Sequence, residues 1–250
     1  MKVLRITFIG SGGVAVTKER CCACFLIDQD ILMDCGTGAV INLRKMDIDL
    51  TRIKKILISH YHADHISDLI PLLWALELEG YKEPIEIMGY GKIEKVVKSM
   101  LKTMKTPDAY TIFNLKFTPL KGKEKIGEIQ CFLTKHEPKN LAYRIERNGK
   151  SVCYSGDTRF YRSLAKFASN CNVLIHDTTF LDGQEDIATL TNHSTASQAG
   201  KIARLANVDI LVLTHFFPGN TKNEDEYVKQ ASKEFKGEII VAKDLQTIEI

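Results

Sequence analysis

Apolar residues along this chain fall into two kinds of stretch. Short unbroken runs, ended by glycine, asparagine or aspartate, read as strands buried on both faces. Longer stretches with an apolar residue every third or fourth position read as helices with one buried side. Val3 to Ile9 is the first strand, and it breaks at Gly10-Ser11-Gly12-Gly13. Cys22 to Ile27 and Ile31 to Met33 form a hairpin about Asp28-Gln29-Asp30, and the second strand ends in Asp34-Cys35-Gly36. Val40 to Met46 is a short helix, Ile53 to Ile58 a strand that delivers His60 at its carboxyl end, and Ile66 to Glu79 an apolar-periodic helix. Ile85 to Met88 is a strand, and the helix from Lys92 to Lys105 stops before Pro107.

The second half follows the same style. Leu115 to Pro119, Ile126 to Thr134, Ala142 to Arg147 and Val152 to Tyr154 read as consecutive strands, with Asn148-Gly149 a hairpin turn. A helix from Tyr161 to Phe167 and a strand from Val173 to Ile175 come next. Thr195 to Ala206 is a helix with Ser194 as its expected cap, and Ile210 to Thr214 a strand ending at His215. Helix Glu224 to Phe235 and two closing strands complete the chain. With no linker and no low-complexity tract, residues 1–250 are expected to form one domain. Periodicity alone leaves α/β and α+β open.

Composition adds little. Charged residues at 26% and apolar ones at 44% are ordinary for a globular protein, and a net charge of +3 argues for neither nucleic acid nor membrane. No apolar run approaches the ~20 residues of a membrane span. The cysteine count of seven is odd, and Met1-Lys2 runs straight into the first strand with no leader. Together these predict free thiols in a cytoplasmic, reducing compartment.

The histidines change the picture. All seven sit in chemical contexts: three in His60-Tyr61-His62-Ala63-Asp64-His65, then His136, His176 in His-Asp-Thr-Thr-Phe, His193 in His-Ser-Thr, and His215 after Leu-Thr. Asp157 lies in Ser155-Gly156-Asp157-Thr158. Imidazole and carboxylate suit borderline divalent metals, so the chain is expected to bind metal. Residues two apart in an extended loop project to one side, which lets His60 and His62 grip one ion.

The run at 60–65 matches the His-x-His-x-Asp-His signature of the metallo-β-lactamase superfamily, and the chain resembles that superfamily's ribonuclease Z branch over nearly its whole length. Phe8-Ile9-Gly10-Ser11-Gly12-Gly13, Leu141-Ala142-Tyr143-Arg144-Ile145, Ser155-Gly156-Asp157-Thr158, His176-Asp177-Thr178-Thr179-Phe180, His193-Ser194-Thr195 and Leu213-Thr214-His215 follow its motifs in order. The resemblance implies an α+β fold, an αββα sandwich of two facing mixed sheets with helices on both outer faces. It implies one metal on His60, His62 and His136, another on Asp64, His65 and His215, with Asp157 bridging both, and Asp34 bracing the histidine loop. Zinc is the first expectation for the two divalent ions, manganese or iron the alternatives.

Two departures matter. The family's His-Glu-Ala-Thr is His-Asp-Thr-Thr here, which puts Asp177 in place of a longer glutamate. Only 21 positions separate His136 from Asp157, the interval in which tRNA-processing members insert a long tRNA-binding arm. A small phosphodiester, such as a cyclic phosphate or nucleotide, is therefore the expected substrate, and tRNA is not. Asp64, His193 and Asp177 are the expected catalytic residues: Asp64 orients a water activated by the ions, His193 acts as acid and charge clamp, and Asp177 orients His193. The alternatives are an RNA endonuclease that uses another surface in place of the arm, or a lactonase or thioesterase of the same fold. The lactonase and thioesterase setting Gly-His-Thr-Pro-Gly-His is absent.

Weaker signals carry plainer readings. Lys92, Lys95, Lys98, Lys102 and Lys105 recur at helical spacing and predict a solvated face before a substrate-steering stripe. Cys21, Cys22 and Cys24 could bind an additional zinc but are expected to pack as small apolar residues. His176 is expected to be structural. A homodimer stays open.

Overall fold

The computed structural model describes residues 3–107, 110, 114–220 and 223–250. Met1 and Lys2, on which the expected start of the chain falls, lie outside the described residues. Each half of the chain lays down antiparallel strands and then parallel ones. The first half gives β1 (Arg5–Gly10), β2 (Cys24–Ile27), β3 (Ile31–Met33), β4 (Lys55–Leu57), β5 (Ile85–Tyr90) and β6 (Leu115–Leu120). The second gives β7 (Lys125–Ile126), β8 (Ile129–Leu133), β9 (Leu141–Arg147), β10 (Lys150–Tyr154), β11 (Val173–Asp177), β12 (Ile210–Thr214), β13 (Glu238–Val241) and β14 (Gln246–Glu249). The last strand crosses back to pair with β1. Two seven-stranded sheets result, ordered β14-β1-β2-β3-β4-β5-β6 and β13-β12-β11-β10-β9-β8-β7. Pairing is antiparallel from β14 to β3 and parallel from β3 to β6. In the other sheet it is antiparallel from β7 to β10 and parallel from β10 to β13.

The helices are α1 (Ala39–Lys45), α2 (Ala63–Ile66), α3 (Leu69–Leu78), α4 (Ile93–Thr103), α5 (Arg162–Phe167), α6 (Glu185–Leu190), α7 (Ala196–Ala206) and α8 (Glu224–Glu234). The period of two along each strand divides an apolar run between two cores. In β2, Phe25 and Ile27 face the core between the sheets, while Cys24 and Leu26 face Leu43 of α1, Leu72 and Leu73 of α3 and Val97 of α4. In β11, Val173 and Ile175 point inward, and Leu174 points out toward Leu164 of α5, Ile202 of α7 and Ala231 of α8. This is the αββα sandwich with mixed sheets that the resemblance implied. Its strands read as unbroken apolar runs because both faces are covered.

Local departures have local causes. The helix expected over Ile66 to Glu79 divides at Ser67-Asp68, because the Asp68 carboxylate turns away to accept the N–H groups of Gly38 (3.0 Å) and Val40 (3.1 Å). The strand expected over Ile126 to Thr134 folds back at Gly127, whose φ of 59° lies in the left-handed region, and becomes β7 and β8. Ser194 is not the cap of α7. Thr195 is, in a capping box with Gln198, while the Ser194 hydroxyl donates to the Thr158 carbonyl (2.7 Å). Helix α6 buries only Ala188, so it leaves no apolar stripe to read from the sequence.

Candidate metal centre

The parallel strands of both sheets deliver the chemistry at their carboxyl ends, as open α/β sheets generally do. β3 runs into Asp34, β4 into the histidine loop, β10 into Asp157, β11 ends on Asp177, and β12 runs into His215. Asp34 and His215, each directly after its strand, hold φ of 57° and 64°. Non-glycine residues in the left-handed region are uncommon and gather at functional sites. The turn aims both side chains back over the sandwich.

Two sets of donor atoms converge there. His60, His62, His136 and Asp157 form one, and Asp64, His65, Asp157 and His215 the other, so that Asp157 belongs to both. In the first, His60 Nε2 lies 3.0 Å from His62 Nδ1, and His136 Nε2 lies 3.4 Å from the same atom. In the second, His65 Nε2 and His215 Nε2 are 3.3 Å apart, and each is 3.3 Å from Asp157 Oδ2. Asp64 Oδ2 is 3.3 Å from His215 Nε2 and 3.5 Å from His65 Nε2. Ligands about 2.0–2.1 Å from a tetrahedral ion lie roughly 3.3 Å from one another. The spacings fit.

Tautomers make the stronger case. His136 Nδ1 can only donate to the Asn192 carbonyl (3.1 Å), and His65 Nδ1 donates to Asp34 (2.8 Å). The Ser59 hydroxyl gives its proton to Asp34 (2.8 Å) and so accepts from His60 Nδ1 (3.1 Å). Thr179 Oγ1, which donates to Asp177 (2.7 Å), accepts from His215 Nδ1 (2.9 Å). Each ring spends its Nδ1 proton outward and turns an Nε2 lone pair inward. The Nε2 lone pairs of His65 and His215 face one another at 3.3 Å and need a cation between them. Asp157 adds a second sign: its Oδ1 is buried and has no hydrogen-bond partner. The residues fit a pair of divalent ions.

Electrostatics agree with that donor set. Burial, and then the neighbouring His65 charge, hold His60 well below the usual histidine range; burial also lowers His62 and His136. All three are neutral, the form that ligates. Burial resists ionisation of Asp157, but His215, His65 and His60 override it and hold the carboxylate charged. Burial likewise opposes charge on His65, and Asp157 and Asp34 overcome it. A cation is wanted at this spot, and a proton takes the place of a metal when none is bound.

Beside these sets, His193 Nδ1 donates to Asp177 Oδ2 at 2.9 Å. Asp177 is fully buried and saturated: Oδ1 accepts from Thr179 N (3.1 Å) and Oγ1, and Oδ2 also accepts from Thr158 N (3.0 Å). A carboxylate so occupied orients a histidine and has nothing left for an ion. Burial opposes charge on His193, and the Asp177 carboxylate outweighs it, raising the pKa to about 9. His176 is buried beneath, with Nδ1 on the Asp177 carbonyl (2.7 Å), away from the donor sets.

Four supporting residues had no role assigned from the sequence, although Thr158 and Thr179 lie within the quoted motifs. Ser59 joins Asp34 to His60. Asn140 donates to Thr134 (2.7 Å) and the Ser155 carbonyl (3.0 Å) and accepts from Asp157 N (3.1 Å), fixing the Asp157 turn. Thr179 and Thr158 both hold Asp177. Gly36 is required for a different reason: a Cβ there would stand 1.9 Å from the Asp64 carbonyl oxygen. The cysteines take no part. Cys24 lies in the core against α3, all seven are free, and none joins a candidate metal set among the described residues. On α4, Lys95, Lys98 and Lys102 are exposed opposite the buried Ile93 and Val97, and Lys98 pairs with Glu94 (2.6 Å). No helix among the described residues is long and apolar enough to cross a membrane.

Comparison with known proteins agrees with this geometry. The family model for the beta-lactamase superfamily domain matches residues 29–216. Ribonuclease Z of Nitrosopumilus maritimus is 27% identical over 307 aligned positions that take in 99% of this chain and 100% of the relative. Since this chain has 250 residues, the relative carries segments that it lacks. The metallo-beta-lactamase fold protein YhfI from Bacillus subtilis superposes with a TM-score of 0.86 at 25% identity, covering 100% of both chains. The short form of human tRNase Z superposes at 0.80 with 23% identity, covering 98% of each, a likeness of fold.

Proposed function

Since the chain belongs to the beta-lactamase superfamily and is a hydrolase of metallo-β-lactamase fold, we propose that it is a binuclear phosphodiesterase acting on small phosphodiesters such as cyclic phosphates and nucleotides. All of residues 1–250 would serve this one hydrolase domain. His60, His62 and His136 would hold one divalent ion, Asp64, His65 and His215 the other, and Asp157 both, with zinc the first expectation. Such a pair supplies a charge clamp for the phosphate oxygens and water that ionises near neutral pH.

The side chains supply the rest. Asp64 accepts a hydrogen bond from the attacking water and orients it toward phosphorus. His193, fixed through Nδ1 on Asp177, offers Nε2 to the substrate. Protonated, it balances charge on the equatorial oxygens and gives its proton to the departing alkoxide.

The observation that favours a small substrate is the hairpin between His136 and Asp157. β9 and β10 are joined by Asn148-Gly149 alone, with φ of 56° and 76°, the two-residue turn that closes a hairpin directly. No arm for duplex RNA fits in that interval, and duplex RNA needs many phosphate contacts. The second reading, an RNA endonuclease, is favoured by the relatives named Ribonuclease Z and would use the exposed Lys95, Lys98 and Lys102 of α4.

A panel on metal-reconstituted protein tests this. Bis-p-nitrophenyl phosphate and nucleoside 2′,3′-cyclic phosphates should be hydrolysed, a lactone and a thioester should not, and precursor tRNA should stay intact. Metal analysis should approach two ions per chain, with Asp157→Ala losing both and Asp64→Ala mainly the second. Efficient site-specific cleavage of the precursor tRNA would establish the endonuclease instead.

A further inference from the structure

One wall of the site is aromatic, and the chemistry above makes no use of it. Phe217 lies two residues after His215 yet is 43% exposed. Its ring stacks on Phe180 with centroids 5.8 Å apart and planes at 23°. Phe180 is buried and meets His193 edge-on at 6.2 Å, and His193 stacks on His215 at 5.1 Å. The rings descend in steps from solvent to the candidate ligands.

This ring is held in place by its backbone. The Phe217 N–H donates to the Thr179 carbonyl (3.1 Å), which also accepts from the Tyr227 hydroxyl (2.9 Å). The Phe217 carbonyl accepts from Asn220 N–H (2.8 Å). Phe180 stacks on the ring, and Phe217 keeps its large exposure despite that contact.

We propose that Phe217 is a stacking platform for a nucleobase in the leaving portion of the substrate, which makes the enzyme selective for nucleotide phosphodiesters over phosphodiesters without a base. The inference rests on the phosphodiesterase reading. His193 gives its proton to the leaving oxygen, so the leaving group lies on the His193 side, where Phe180 and Phe217 stand. An open aromatic face accepts any base, since every base has a π-face. Selection among bases should therefore be weak.

The test separates binding from turnover. Calorimetry with adenosine 5′-monophosphate and with ribose 5-phosphate should show the nucleotide bound more tightly by roughly 5- to 150-fold, the usual worth of one stacked base. In Phe217→Ala the two affinities should converge, and Phe217→Trp should keep them apart. The KM values for a nucleoside 2′,3′-cyclic phosphate and for its counterpart without a base should converge in the same way. A Phe217→Ala protein with unchanged melting temperature that still prefers the nucleotide would overturn the platform. If the metal-loaded enzyme cleaves neither cyclic phosphate but the binding preference depends on Phe217, the phosphodiesterase reading fails and the platform stands. If it cleaves both alike with no effect of Phe217→Ala, the platform fails and the reading stands.

Discussion

Replacing Asp34 should damage both stability and metal affinity, by amounts that can be worked from its contacts. It is fully buried, and its carboxylate accepts Ser59 N–H (2.7 Å), the hydroxyls of Ser59 (2.8 Å) and Tyr154 (2.8 Å), and His65 Nδ1–H (2.8 Å). Asp34→Ala strands all these donors where water does not reach. Each stranded donor costs about 1–3 kcal/mol, but donors around one cavity relax together and do not add. A total of about 3–5 kcal/mol follows, which is also what breaking a buried ion pair costs. At about 2–4 °C per kcal/mol for a chain of this size, the metal-free protein should melt roughly 6–20 °C lower. Asp34→Asn is the finer probe. Asparagine tolerates the left-handed backbone and keeps one acceptor oxygen, and the two hydroxyls can rotate. His65 cannot rotate its proton away. With the amide oxygen on the Ser59 N–H, the amide nitrogen faces His65, which then shifts its proton to Nε2, the atom that faces Asp64, Asp157 and His215. Affinity at that site should fall about 10- to 100-fold, the usual effect of losing a ligand's outer partner, with a smaller loss of stability. Thermal melting of metal-free protein and zinc titration against a chromophoric chelator measure the two effects. An Asp34→Ala protein that melts within about 2 °C of the parent and binds both ions unchanged would refute the bracing role.

The other expectations concern His193 and Gly36. His193→Ala should lower turnover on substrates with poor alkoxide leaving groups by about 10²–10⁴-fold, and less on nitrophenyl esters, with metal content unchanged. Equal losses on both would leave the charge clamp and remove the acid. In metal-free protein the His193 pKa of about 9 lies above its unfolded value of about 6.5, so its pairing with Asp177 stabilises fully below pH 6.5 and is lost as pH rises through 9. The melting-temperature gap between the parent and His193→Gln should accordingly close across that window; a constant gap would show that His193 stays neutral. Gly36→Ala drives a Cβ to within 1.9 Å of the Asp64 carbonyl and should empty the site that contains Asp64 and His65 while the His60, His62 and His136 site still binds, as metal stoichiometry would record.

The sequence by itself marked most strands along the chain and the candidate donors, and its family resemblance implied the sandwich. The order of strands within each sheet came only from the tertiary structure. Strands covered on both faces must be apolar throughout, so they stand out, and the donors stand out because five of the seven histidines belong to the two donor sets. Spacing could not show how those donors are aimed. Asp34 and His215 act through left-handed turns, Asp34 also meets Tyr154 across the interface between the sheets, and Asn140 acts by tying three turns of its own sheet together. The capping role of Thr195 over Ser194 was equally invisible: both are good caps, and only the nearby Thr158 carbonyl claims the serine hydroxyl. Phe217 reads as one more apolar residue after a strand. Only the folded chain leaves it open to solvent beside His193, because Phe180 occupies the inner place.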